Sequence, residues 1–185
     1  MINKKIIITI FIIIISFFFI GCSNESKNEN NIENIPEGEI NLSEERYIIY
    51  LNNRYNAYLN NLDVDTKYSL DRGNVTSYDY IDNLKEAYRE LEEKLVTLKD
   101  DLRNGVKTES EKIKNINDNI INLIDEAIIA TKNVSIELES EGDKIKDKDE
   151  ETIKAKLYSI ERESVNSRKR LAEKINEVKE ELGIE

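Results

Sequence analysis

The sequence predicts an all-α protein, an elongated up-down helical bundle of three long helices plus a shorter N-terminal one. Three observations carry this. From Asn41 onward, apolar residues recur at alternating steps of three and four, which puts them on one face of a helix. The chain's single proline, Pro36, lies ahead of that stretch, so no ring breaks a long helix. Where the pattern pauses, residues that stop and start helices stand in the gaps.

The second segment is the clearest. Ile81, Leu84, Tyr88, Leu91, Leu95, Leu98 and Leu102 alternate as in a coiled coil or bundle. Thr76 with Asp79 marks its start, and Asn104-Gly105 its end. Gly105 is expected in the left-handed conformation, with Val106 folding back on the last turn. Thr108 and Glu111 then read as a capping box that opens the third segment. That segment carries Ile113, Ile116, Ile120, Leu123, Ala127, Ala130 and Val134, widened by Ile121, Ile124 and Ile128. Its broad apolar stripe predicts more than one neighbour and a central place in the packing. Gly142 is expected to close it. Asp147 or Asp149 opens the fourth, with Ile153, Leu157, Ile160, Val165, Leu171, Ile175, Val178 and Leu182 facing the core. Ser164 and Ser167 interrupt its heptad. The first segment spans about Leu42 to Leu62, with Tyr47, Leu51, Tyr55, Tyr58 and Leu62 on one side and Ile48 and Leu59 flanking. Asp71-Arg72-Gly73-Asn74 is turn-like. Short links make neighbouring helices antiparallel, each long one having roughly 28 to 34 residues.

Ahead of the bundle, Lys4 and Lys5 precede Ile6 to Ile20, which is apolar except for Thr9 and Ser16. A spanning helix needs roughly 20 apolar residues; a charged start and a shorter apolar run read instead as a secretory signal peptide. Phe19-Ile20-Gly21-Cys22 resembles the lipobox of bacterial lipoproteins, with Phe19 standing where that family prefers Leu, Val or Ile. The resemblance covers residues 1–22 only and implies that Cys22 receives a diacylglyceryl group and becomes the first residue of the mature chain. Cys22 is the only cysteine, so it forms no disulfide within the chain. Ser23 to Asn41, rich in Asn, Glu and Ser, reads as a tether able to extend about 65 Å. The expected organisation is a signal peptide over 1–21, a disordered tether over 22–41 and a helical bundle over 42–185.

The formal charge is −11, and about −13 once Lys4 and Lys5 leave with the signal. Such a surface disfavours nucleic acid. There is no histidine, which excludes His-based acid–base catalysis, nucleophile–histidine pairs and histidine-containing metal sites. Lipidation consumes the one thiol. The acidic pairs Glu92-Glu93, Asp100-Asp101, Glu150-Glu151 and Glu180-Glu181 point about 100° apart on a helix and fall mostly on polar faces. Asp63-Val64-Asp65-Thr66-Lys67, with Ser69, Asp71 and Asn74, matches a calcium loop poorly. Tyr68 stands where its glycine belongs, and Asn74 where its glutamate belongs. No phosphate-binding loop or nucleophile elbow occurs. Catalytic residues, cofactor and metal are therefore all expected to be absent.

Four of the nine tyrosines lie in the first segment. Tyrosine at helical spacing packs with its hydroxyl toward solvent, but Tyr50, Tyr58 and Tyr80 need not all fit one seam and are the candidates for a partner-binding face. The expected protein is lipid-anchored through Cys22 on the extracytoplasmic face of the cell membrane, where it acts as an interaction or scaffold module for an envelope protein or cell-wall polymer. The alternative is a small-molecule-binding or sensory bundle, with a ligand between helices near Tyr55, Tyr58 and Tyr88.

Overall fold

The computed structural model describes residues 42–59 and 77–182, all within one compact unit, Glu37–Glu185. The signal, Cys22, the tether, Leu62, the calcium-loop-like stretch and Thr76 lie outside the described residues.

Among the described residues four helices follow in order: α1 (Glu44–Tyr58), α2 (Ser77–Gly105), α3 (Glu111–Ile145) and α4 (Glu150–Glu181). Among the described residues there is no strand, and the fold is the expected all-α bundle. The three long helices have 29, 35 and 32 residues, about 44–52 Å of axis each. α2 and α4 each pack along α3, and α1 packs on α2 and α4. α3 is thus the central helix, as its wide apolar stripe requires. No helix among the described residues is long and apolar enough to cross a membrane.

All seven apolar positions of the α2 seam are buried, Ile81 through Leu102. Each large side chain removed from water stabilises the fold by about 1.5–3 kcal/mol before its lost entropy is counted. Opposite them, Ile113, Ile116, Ile120, Ile124, Ala127, Val134 and Leu138 fill the α3 face, with Leu123 and Ile128 half-buried at its edges. Ion pairs tie neighbours together at the rim: Lys99 with Asp125 joins α2 to α3, and Arg170 with Glu126, at 3.2 Å, joins α3 to α4. Lys146 binds Asp82 at 2.9 Å, linking the end of α3 to the start of α2.

Several boundary expectations are corrected. The cap of α3 is Ser110, whose hydroxyl accepts from the Ile113 N–H at 3.4 Å. Thr108 is committed elsewhere: its hydroxyl donates to the Leu42 carbonyl at 3.1 Å, while the Leu42 N–H donates to the Lys107 carbonyl at 2.8 Å. These bonds fix the entry to α1, itself capped by Ser43. Gly142 does not close α3, which runs on to Ile145. It is buried where α2 passes, and a Cβ there would lie 3.0 Å from Ile81 Cγ2 and 3.2 Å from Lys85 Cε. Gly105 does end α2, but without the left-handed φ expected of it. Of the two aspartates considered for α4, Asp149 is the cap, accepting from the Thr152 N–H at 2.9 Å.

In α4 the heptad is unbroken. Ile160, Ser164, Ser167 and Leu171 keep the four-three-four spacing and are all buried, whereas Val165 is half-buried at the edge. The serines are tolerated in the core because their hydroxyls have partners. Ser164 and Thr131 share a hydrogen bond of 3.0 Å, and Ser167 donates to the Ser164 carbonyl at 2.9 Å.

Candidate functional site

The tyrosines expected on one partner face occupy two separate places. Tyr50 and Tyr58, on α1, converge on Asp101 near the end of α2. The Tyr50 hydroxyl donates to the Asp101 carbonyl at 2.9 Å, and the Tyr58 hydroxyl to the Asp101 carboxylate at 2.9 Å. Arg54 completes the group, 3.4 Å from Asp101 and with its guanidinium 5.2 Å from the centre of the Tyr50 ring. Burial raises the Tyr50 phenol above its ordinary value, with Arg54 opposing. For Tyr58, burial and then the bond to Asp101 act in the same direction. These hydroxyls bind within the chain and clamp α1 onto α2, so what they leave to a partner is ring surface.

Tyr80 lies near the other end of α2, about 30 Å away along its axis. It lines a groove of about 300 Å³ whose other wall is α4, with Leu157, Tyr158, Glu161, Arg162 and Val165. Tyr158 is 72 % exposed. The groove floor is apolar through Leu157, and its rim holds two phenols and the cations Lys154 and Arg162. Glu161 is already engaged, accepting from the Tyr88 hydroxyl at 2.8 Å. The groove thus combines ring surface, an apolar floor and a cationic rim.

Tyr158 and Arg162 did not emerge from the sequence. The available signal was positional: Tyr158 follows core-facing Leu157 and is thereby turned about 100° off the buried stripe. The ligand site imagined near Tyr55, Tyr58 and Tyr88 also divides. Tyr58 meets Asp101, Tyr88 meets Glu161, and Tyr55 faces the charge of Arg168.

A second, more open depression of about 1060 Å³ adjoins the α2–α3 turn, lined by Arg103, Lys107, Lys114, Asn117 and Asp118 among others. Its charges are mixed, and Lys114 is bound to Glu111 at 2.6 Å. Among the described residues no group of three or more Cys, Asp or Glu side chains is placed to hold a metal ion. The chain matches no protein-family model, no curated protein and no solved structure.

Proposed function

We propose that this chain is a lipid-anchored, non-catalytic interaction module of the bacterial envelope, tethered through Cys22 and docking an envelope partner along the α2–α4 groove. The observation that carries the docking surface is the pairing of Tyr80 with the largely exposed Tyr158 across that groove. Exposed tyrosines offer large, rigid contact area for little lost entropy, which is why interfaces are enriched in them. The anchor rests on the lone cysteine directly after the apolar run and on the polar stretch behind it. A mature charge of about −13 keeps such a module soluble and selects against anionic polymers as its partner.

Two experiments test the two halves. Radiolabelled fatty acid incorporates into the wild-type chain and not into Cys22→Ala, whose loss of membrane fractionation follows. A photo-crosslinking residue at position 158, expressed in intact cells, yields one dominant adduct with an envelope protein or wall polymer, and Tyr80→Ala depletes it. A crosslinker at exposed Ile136 on α3 serves as the control surface. Equal labelling from both positions eliminates the groove as the docking face.

A second reading, a small-molecule-binding or sensory bundle, draws on the groove volume, which is near the lower end for small-ligand sites. A metabolite retained in native mass spectra and lost in Tyr80→Ala favours it over the docking reading.

A further inference from the structure

Arg168 breaks the pattern of the chain's cations. In a protein with 38 acidic residues, several cationic side chains that leave the surface find a carboxylate, as Arg54 and Lys99 do. Arg168 has none three or four residues away on its own helix, where Ser164, Val165, Leu171 and Ala172 stand, and Glu161, seven residues back, accepts from the Tyr88 hydroxyl. The helix that carries Tyr55 offers none either, since α1 has no carboxylate from Arg46 to Tyr58. Yet its Nε and Nη2 atoms are shut off from solvent and, among the described residues, lack hydrogen-bond partners. A guanidinium cannot escape by losing its proton, so its burial calls for a counter-charge.

The two orphaned atoms are informative as a pair. Nε and Nη2 form one edge of the guanidinium and aim parallel N–H bonds outward, the geometry that grips two oxygens of a carboxylate or phosphate at once. Tyr55 lies close enough for the Arg168 charge to act on its phenol. Burial raises that phenol and Arg168 opposes the rise, and the net upward direction keeps the hydroxyl a donor. Asn52 shares the Tyr55 face of α1 at a spacing of three, and its Oδ1 is a further buried atom without a partner. Turned over, that amide presents an N–H in the same position. Arg168 also continues the groove-lining row of α4, Leu157, Glu161 and Val165, at helical spacing and is itself half-buried, which places the guanidinium beside the end of that groove.

We propose that Arg168, with Tyr55 and Asn52 across the α1–α4 interface, binds a small oxyanion through a carboxylate or phosphate group. The site stands independently of the docking reading, because its test needs no partner protein.

The full-length chain, purified in detergent and dialysed free of other oxyanions, is titrated with acetate or with inorganic phosphate at constant ionic strength. The wild-type thermal midpoint rises with one of the two, and the arm that responds assigns the group. Arg168→Lys keeps the charge but loses the fork, weakening apparent affinity by about tenfold or more. Tyr55→Phe weakens it less. Identical responses in wild type and Arg168→Lys, or none in wild type to either anion, overturn the proposal. Should the Arg168 variants fail to fold, the Arg168 Nε–H resonance of the wild-type chain decides: a shift on adding the anion supports the site, and no shift overturns it.

Discussion

The hydroxyl of Tyr50 occupies the space that a side chain at Gly105 would need. A Cβ on Gly105 would collide with the Tyr50 hydroxyl oxygen and lie 2.9 Å from Cζ. The same hydroxyl donates to the Asp101 carbonyl one turn earlier in α2. The glycine therefore permits a tyrosine of α1 to lie directly on the last turn of α2.

Gly105→Ala consequently reverses the usual sign. Within a helix, Gly to Ala stabilises by about 1 kcal/mol. Here the methyl displaces Tyr50 and its hydrogen bond, and overpacking typically costs about 1–3 kcal/mol. Urea unfolding is expected to show Gly105→Ala as destabilising in the wild-type background and as stabilising in a Tyr50→Ala background. The same sign in both backgrounds would show that the close approach is not what requires the glycine.

The Thr131–Ser164 hydrogen bond is expected to behave as a coupled pair. Both hydroxyls are buried, so Thr131→Val strands the Ser164 hydroxyl at a cost of about 1–3 kcal/mol. Thr131→Val with Ser164→Ala removes both polar groups and costs less than the sum of the single changes. A double-mutant cycle by denaturant titration measures the coupling. Additive single changes would mean that each hydroxyl finds another partner.

These pairs also mark how far the sequence could be read. The buried face of α2 was legible residue by residue, because Leu and Ile at three-four spacing have no stable place but a core. Ser164 was not: a hydroxyl at a core position is readable only when its partner, 33 positions back at Thr131, is known. Val165 was misplaced for the same reason, since hydrophobicity drew the stripe one residue sideways. Gly105 and Gly142 were recognised as special but given a conformational role where the fold uses their missing side chains. Of the candidate site, Tyr80 was visible and Tyr158 and Arg168 were not, because the groove and the orphaned guanidinium exist only between helices distant in sequence.

Asp149 makes the entry to α4 sensitive to acid. The Thr152 hydroxyl and then its backbone N–H donate to the carboxylate, holding its pKa below the ordinary 3.8. A depressed folded-state value means that the contribution is complete above the unfolded value and is lost as pH falls through the folded one. Asp149→Ala should lower the thermal midpoint at neutral pH, and its difference from wild type should narrow on acidification below 3.8. Asp149→Asn keeps a neutral acceptor and should lose less at neutral pH. A gap between wild type and Asp149→Ala that persists unchanged in acid would mean that the ionised cap is not the source.

At the alkaline end the tyrosines of α1 set the behaviour. Tyr47, Tyr50, Tyr55 and Tyr58 all have phenols raised above the ordinary 10.0, in each case first through burial. The fold favours their neutral forms, so their contribution is complete below pH 10.0 and declines as pH rises from there through the folded-state values. Near-ultraviolet titration should show these phenols ionising later in the folded chain than in denaturant. The thermal midpoint should fall once pH passes 10.0. Tyr47 is the most informative, being fully buried with its hydroxyl donating to Asn117 at 3.4 Å. Tyr47→Phe removes the group that must be desolvated as an anion, so its midpoint should decline less steeply with pH than that of wild type. Parallel declines, or phenols that titrate alike in folded and unfolded chains, would exclude these buried tyrosines as the source of alkaline instability.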